Sequence, residues 1–385
     1  DVQGLCEPLS GRNGALLTEE YNDRLTEAFD FILRARNQLH FLCGERQDTL
    51  DRALQPDVAD RLGFEGEKPE RAQALMLELF GHTGRIFGIM QAFRERLDHV
   101  RSTAWQRPTS RTRQAVGDGF ALVEGKLYNA ARPPFEAGEA AHRMMSCFAL
   151  SQRHHVPMSQ ELLDEIADNL DKVDEEKLWD RETAGSFLRL LRGSAGVARR
   201  LRWMRDSGLL QTYIPEFAEL IHRVEYEESL EYTLDEHALN AVEVIDELTR
   251  TDREEELPQR ELLSGLERPE LLRLGLLIHH LDSEDAVRRI AERLHLNEDE
   301  EETLLFLHRN GSALTECAER HNFHDPDVLE RMAERIGSAE RLSLLYLFAY
   351  ADCRATGRTG WFGWLDALLY ELYEMVRKAL DPDFQ

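Results

Sequence analysis

The sequence predicts an all-α protein that contains one short β-hairpin. Apolar residues recur at helical spacing along most of the 385 residues, and runs of β-branched residues are few. Residues 18–43 show the pattern well, with Leu25, Phe29 and Ile32 on one face. A second long helix is expected to open at Pro69, because proline suits the first position of a helix.

Strand is expected mainly within 118–130. Phe120–Val123 and Lys126–Tyr128, with Glu124-Gly125 between them, are typical of the two strands and the turn of a short hairpin. The stretch Arg107–Arg113 before them is polar, basic and aperiodic, which indicates a linker.

After the hairpin the pattern is helical again. An acidic helix is expected over 161–170, and another around 188–204 that ends at Ser207-Gly208. Tyr213–Phe217 contains Pro215 and predicts a bend. We therefore expect two lobes, a helical linker domain over 1–205 and a second helical domain over 206–385.

The composition excludes several classes of protein. There are 73 acidic against 47 basic residues, a formal net charge of −26, which disfavours nucleic acid and anionic membranes as partners. The longest apolar run, Leu274–Ile278, is too short to span a bilayer. The five cysteines are scattered and form no Cys-x-x-Cys pair, so we expect a reducing, cytoplasmic location.

Three segments of the C-terminal half carry residues that can bind a metal. They are Tyr232-Thr-Leu-Asp-Glu-His237, Leu276-Leu-Ile-His279-His280-Leu-Asp282 and Tyr350-Ala-Asp352-Cys-Arg354. Thr233 and Glu236 form a capping-box pattern, which predicts a helix with His237 in its first turn. The candidate metal ligands are therefore His237, His279, His280 and Asp352.

The same spacing predicts how these side chains are placed. His279 follows Leu276 by three residues and should share its buried face, whereas His280 should be rotated by about 100° on an ideal helix. Asp352 follows an apolar run, so its carboxylate needs a metal, a histidine or a hydrogen-bond network. The four groups either converge on one or two divalent cations or form a hydrogen-bonded polar cluster without metal.

A histidine, a His-Asp pair and a distant aspartate on helices resemble the metal-dependent phosphohydrolases of the HD type. The aspartate of that pair is replaced here by His280. An imidazole cannot bridge two cations as a carboxylate does, so hydrolysis should be lost and no catalytic residue is assigned. We expect no bound organic cofactor. If a metal binds, three imidazoles favour Zn²⁺, Ni²⁺ or Fe²⁺ over Mg²⁺.

Nearly the whole chain resembles the bacterial family of bifunctional protein-PII uridylyltransferase/uridylyl-removing enzymes. The resemblance rests on segments spread along the sequence, Asp1-Val-Gln3, Phe31–His40, Gly208–Phe217, Tyr232–His237, Arg268–Leu272 and Ala351–Thr356, with Trp361 and Trp364 at aromatic positions of the family. It implies a helical linker followed by a degenerate HD domain, without the family's nucleotidyltransferase core or its ACT domains. It also implies a PII-type signalling protein as the partner.

The departures from the family decide the functional hypothesis. The family's His-Asp pair is His279-His280 here, a glycine-rich segment with a further histidine is missing, and a histidine expected near 311 is Gly311. We therefore expect a regulatory or scaffold region of a PII uridylyltransferase-like nitrogen-signalling protein, a pseudoenzyme at its HD site. The alternatives are residual metal-dependent phosphodiesterase activity that removes uridylyl groups, or a stand-alone hydrolase of a nucleotide signal.

Overall fold

The computed structural model of the protein describes residues 19–105, 113–224, 232–320, 323–356 and 362–381. Helices dominate these residues, and the strands among them form one small sheet, which confirms the predicted all-α class with its short hairpin. Every described helix is too short or too polar to cross a bilayer. The segment Asp1-Val-Gln3, most of the predicted linker Arg107–Arg113, and Trp361 lie outside the described residues.

The described chain forms two compact units. The first contains the residues up to Arg113 together with 222–224, and the second contains 114–221 and the residues from 232 onward. The first unit holds the helices α1 (Glu19–Cys43), α2 (Gln55–Leu62) and α3 (Lys68–Trp105). The long helices predicted from residue 18 and from Pro69 are thereby confirmed.

The second unit begins with an antiparallel sheet in the order β1 (Gln114–Gly117), β2 (Phe120–Val123) and β3 (Lys126–Asn129). Glu124 and Gly125 connect β2 and β3 with φ of 52° and 77°, and positive φ at both central residues gives the hairpin turn that matches strand twist. The predicted hairpin is confirmed. The first strand was not predicted, since its short sequence adjoins a polar stretch and lacks an apolar alternation of its own.

The rest of the second unit is helical. Its helices are α4 (Ala140–His154), α5 (Gln160–Ala167), α6 (Glu175–Leu178), α7 (Arg181–Leu191), α8 (Val197–Asp206), α9 (Leu209–Tyr213), α10 (Leu234–Leu248), α11 (Leu257–Gly265), α12 (Pro269–Ile278), α13 (Glu284–Arg293), α14 (Glu298–Asn310), α15 (Ala313–Arg320), α16 (Pro326–Ile336), α17 (Ala339–Ala355) and α18 (Phe362–Leu380). The helix expected over 188–204 is in fact two helices. The chain breaks between Leu191 and Val197, where Gly196 adopts a φ of 68° that glycine tolerates best.

One apolar core runs through this unit, from the sheet to α18. A buried polar contact joins three of its helices, because the Asp246 carboxylate on α10 accepts a 3.0 Å hydrogen bond from the Ala198 N–H on α8 and a 3.3 Å bond from Arg273 on α12. The predicted boundary between 1–205 and 206–385 falls in the last turn of α8, and it stays a prediction about domains.

Candidate metal centre

Three separate segments bring His237, His279, His280 and Asp352 together. His237 lies on α10, the two adjacent histidines follow α12, and Asp352 lies near the end of α17. One ligand atom from each side chain can be chosen so that all four lie within 4.8 Å of one another. The sequence therefore identified the four members of one cluster.

His237 is fixed by the first turn of α10, as predicted, but not by a capping box. Thr233 is the N-cap residue with extended backbone, yet no backbone N–H of α10 bonds to its side chain. Glu236 instead accepts hydrogen bonds from Arg202 at 2.9 Å and from Arg205 on α8. Charge pairing between two helices thus takes the place of the local cap, and His237 is 1% exposed.

His279 and His280 lie in a turn and not on the helix that precedes them. Helix α12 ends at Ile278, one residue before His279. The prediction that both histidines lie on this helix is therefore corrected, although His279 keeps helical backbone angles (φ −67°, ψ −23°) and the expected rotation of His280 stays a prediction. The turn places the two imidazole rings 3.8 Å apart between centroids, and both rings face His237 at 5.8 and 5.1 Å.

Asp352 connects two of the histidines through a single oxygen. Its Oδ1 lies 2.8 Å from Nε2 of His237 and 2.9 Å from Nε2 of His279, and the Asp352 side chain is 28% exposed. Burial raises the pKa of Asp352, but the charge of His279 and the bonds to both imidazoles outweigh it and hold the pKa well below its ordinary value. The carboxylate is therefore ionised and ready to accept a cation.

The contact between His279 and Asp352 can be satisfied either by a proton on His279 or by a metal ion. Its Nδ1 lies 2.7 Å from the Leu276 carbonyl, which can only accept, so Nδ1 carries the proton. In the neutral ring Nε2 then presents a lone pair to the Asp352 oxygen at 2.9 Å. Two such acceptors at this distance repel each other unless a proton or a metal ion lies between them.

A wall of the site comes from residues that sequence reasoning did not select. The Phe348 ring on α17 meets His279 edge-on at 5.4 Å and 88°. Phe348 also occupies the space beside Gly311, where an added Cβ would lie 2.7 Å from its ring. One turn before Gly311, burial lowers the pKa of His308 and the nearby His279 lowers it further, against the opposing effect of Glu284. The one signal for His308 in the sequence is that it lies three residues before Gly311, near which a histidine was expected.

The donor set fits one transition-metal ion better than two ions. Three imidazole nitrogens and one carboxylate oxygen suit Zn²⁺ or a similar borderline ion, which is commonly held by four such ligands. A two-metal site needs carboxylates that bridge, and among the described residues this cluster contributes Asp352 as its carboxylate.

Fold and cluster together define a helical protein with a His-rich, carboxylate-containing candidate metal centre. Comparison with known proteins narrows this class. Residues 9–94 match the family model for GlnD PII-uridylyltransferase, and residues 120–213 match the model for the third domain of uridylyltransferase GlnD. These matches confirm the resemblance predicted from the sequence.

Relatives extend the similarity over nearly the whole chain. The bifunctional uridylyltransferase/uridylyl-removing enzyme of Cereibacter sphaeroides is 28% identical over 96% of this chain and 41% of its own length. The enzymes of the same description from Nitrosococcus oceani and Bordetella pertussis are each 27% identical, over 94% and 95% of this chain and 42% and 43% of their own lengths. The chain therefore spans less than half the length of these curated relatives.

Proposed function

We propose that this chain is a regulatory or scaffold region of a PII uridylyltransferase-like nitrogen-signalling protein, with a degenerate HD site that does not hydrolyse phosphodiesters. Its linker domain would occupy 1–205 and its HD domain 206–385. The similarity to bifunctional uridylyltransferase/uridylyl-removing enzymes supports the family role. The four free cysteines among the described residues agree with a reducing cytoplasm as its location.

One observation carries the loss of hydrolysis. His280 occupies the position that an aspartate has in the His-Asp pair of an HD-type site. Its ring lies 3.8 Å from the ring of His279 between centroids. Hydrolysis by two metal ions needs both ions held close together so that they stabilise the attacking and leaving oxygens. A neutral imidazole donates one lone pair to one ion. The second ion therefore loses its bridging ligand.

A single metal ion remains compatible with the cluster. His237, His279, His280 and Asp352 would hold it, and four protein ligands fill a tetrahedral shell. Such an ion would join α10, the turn after α12 and α17. In this role the metal would contribute to the stability of the fold, since it would bind the folded chain more tightly than the unfolded one.

The alternative is a metal-dependent phosphodiesterase that removes uridylyl groups. The 28% exposure of Asp352 favours it, because a substrate can reach at least one side of the cluster. Here the ion would act as a Lewis acid on the phosphate, and one of the four side chains would have to leave an open position. A chain with four permanent ligands cannot provide that position.

Hydrolysis of bis(p-nitrophenyl) phosphate tests the two functions. We expect no turnover by the unmodified chain with Mn²⁺, Zn²⁺ or Fe²⁺, and none by Asp352→Ala. Turnover in the unmodified chain that disappears in Asp352→Ala would establish the alternative. Turnover that appears only in His280→Asp would support the bridging argument directly, and background turnover equal in all variants would identify a contaminant.

Binding tests the family role separately. The isolated chain is immobilised and exposed to unmodified and uridylylated PII protein, with an unrelated acidic protein as a control. We expect saturable binding of at least one PII form. The absence of binding to both forms would contradict PII as the partner, whatever the outcome of the hydrolysis assay.

A further inference from the structure

A cavity of about 560 Å³ lies between the sheet and the helices α4 and α7, in a part of the second unit that contains none of the four cluster residues. Its walls come from the turn between β1 and β2, the segment after β3, the first turns of α4 and the start of α7. This volume lies within the range of sites that bind small molecules. The charges on its wall and at its mouth differ in sign.

The inner wall carries an immobilised guanidinium. Arg143 donates hydrogen bonds to the Asp118 carbonyl at 3.2 Å, to the Pro134 carbonyl at 2.6 Å and to the side-chain oxygen of Asn129 at 3.1 Å. The same group lies over the rings of Phe120 and Phe135 at 5.3 and 5.2 Å. These acceptors are all neutral and use three of the five N–H donors, so a fixed positive charge with spare donors lines the cavity.

A second polar group stands next to Arg143 on α4. The Nε2 of His142 lies 2.6 Å from Oδ2 of Asp180, which fixes the ring against the cavity wall. Ser146 and Ser186 add hydroxyl groups, although each already donates to a backbone carbonyl and can now only accept. The wall therefore combines one cation with several fixed dipoles.

The mouth of the cavity is acidic. Four exposed carboxylates line it, from Asp118, Glu136, Glu139 and Glu182. Arg132 is the basic residue at the same rim, and it already lies 3.2 Å from Glu165. A polyanion such as a nucleotide would be repelled at this entrance, whereas a ligand with a cationic end would be attracted.

We propose that this cavity binds a small zwitterion, with a carboxylate directed inward to Arg143 and an ammonium group at the acidic mouth. Hydrogen bonds between two charged groups are stronger than neutral ones, and the Arg143 guanidinium keeps two N–H donors beyond the three it uses in the protein. A ligand with only one of the two charges would pair with either the Arg143 cation or the acidic rim, and would lose the other attraction.

Isothermal titration calorimetry of the full chain with matched probes tests the assignment. Glycine, γ-aminobutyrate and ε-aminohexanoate offer increasing separations between the two charges, and butyrate and butylamine each carry one charge of γ-aminobutyrate. We expect at least one zwitterion to bind about tenfold more tightly than butyrate and butylamine. The proposal would be overturned if butylamine or butyrate bound as tightly as the zwitterions or more tightly. It would also be overturned if no zwitterion bound.

Variants locate the site. The double variant Glu139→Gln with Glu182→Gln should weaken zwitterion binding about tenfold, whereas Glu219→Gln, an exposed residue away from the cavity, should not. Arg143→Lys keeps the charge but loses the planar fork, and should weaken binding more than the rim variant. Because Arg143 also bonds to the segments around the sheet, the far-UV circular dichroism spectrum of Arg143→Lys is first compared with that of the unmodified chain. If Arg143→Lys is unfolded, the rim variant still tests the proposal. Unchanged binding in the rim variant would contradict the proposed orientation.

Discussion

The Asp352 oxygen Oδ1 lies 2.8 Å from Nε2 of His237, although the two residues are 115 positions apart in the chain. This contact joins the end of α17 to the first turn of α10. His237 is almost fully buried and water cannot reach its Nε2, so Asp352 supplies the hydrogen-bond partner that this nitrogen needs. The contact therefore contributes to stability as well as to the candidate metal centre.

Removal of the Asp352 carboxylate should destabilise the metal-free chain. We expect Asp352→Ala to lower the free energy of unfolding by about 1–3 kcal/mol, because it leaves the buried His237 nitrogen without its acceptor. Asp352→Asn retains an acceptor oxygen and should cost less. Urea unfolding in the presence of a chelator measures both values. An Asp352→Ala variant as stable as the unmodified chain would show that the bond contributes nothing.

Added Zn²⁺ should stabilise the chain through the four-residue cluster. At a free concentration one hundred times the dissociation constant, we expect about 2.7 kcal/mol of additional stability and one ion per chain. His279→Ala should lose both effects. His155→Asn, at an exposed histidine with positive φ that asparagine tolerates, should keep both. Elemental analysis and thermal unfolding provide the measurements, and equal metal content in both variants would exclude the cluster as the site.

Sequence reasoning succeeded where local periodicity and local chemistry coincide. The hairpin was predicted because Glu124-Gly125 separates two short strand-like segments, and the cluster was predicted because its ligand residues lie in apolar stretches of the sequence. It failed where tertiary contacts decide. Helix α12 ends before His279, so both histidines lie in a turn that the sequence did not predict. Glu236 pairs with Arg202 across helices and leaves no capping box.

The buried pair of Asp246 and Arg273 should contribute to the stability of the second unit. Burial raises the pKa of Asp246 even though Arg273 opposes the shift, and both side chains are 2% exposed. Asp246→Ala should cost about 3–5 kcal/mol, because Arg273 would remain buried without its charge partner. Glu247→Ala, at the next and exposed position, is the control. Chemical unfolding measures the loss, and a cost below that of the control would contradict a structural role.

The Glu284 carboxylate should give stability that depends on pH. Hydrogen bonds from Arg309 at 2.9 and 2.7 Å lower the pKa of Glu284 to about 2, from about 4.3 in an unfolded chain. Because the pKa is lower in the folded state, the ionised Glu284 stabilises the fold fully at any pH above its pKa in the unfolded chain. This contribution is lost as the pH falls through its pKa in the folded chain. The difference in stability between the unmodified chain and Glu284→Gln should therefore be constant from pH 7 to about 5 and shrink toward pH 2.

Two comparisons make the Glu284 experiment specific. Glu292 is exposed on the same helix, and Glu292→Gln should differ little in stability from the unmodified chain at every pH. Raised salt should reduce the Glu284 effect at pH 7, because the pair is exposed and screened. A Glu284→Gln difference that grows on acidification would reverse the sign of the argument.

Residue 311 should have to be glycine, because the Phe348 ring beside the cluster leaves no space for a Cβ at this position. A Cβ at residue 311 would lie 2.7 Å from Phe348 Cε1 and 3.2 Å from the Leu307 carbonyl oxygen, so Gly311→Ala should destabilise the chain by about 1–3 kcal/mol through overpacking. Gly265→Ala is the matched control, since nothing lies within 4 Å of its added Cβ, and it should be neutral or stabilising by about 0.4–1 kcal/mol. The cost of Gly311→Ala should fall in a Phe348→Leu background, and a double-mutant cycle of urea unfolding measures that coupling. A cost that is unchanged by Phe348→Leu would place the strain at the Leu307 carbonyl and not at the ring that contacts His279.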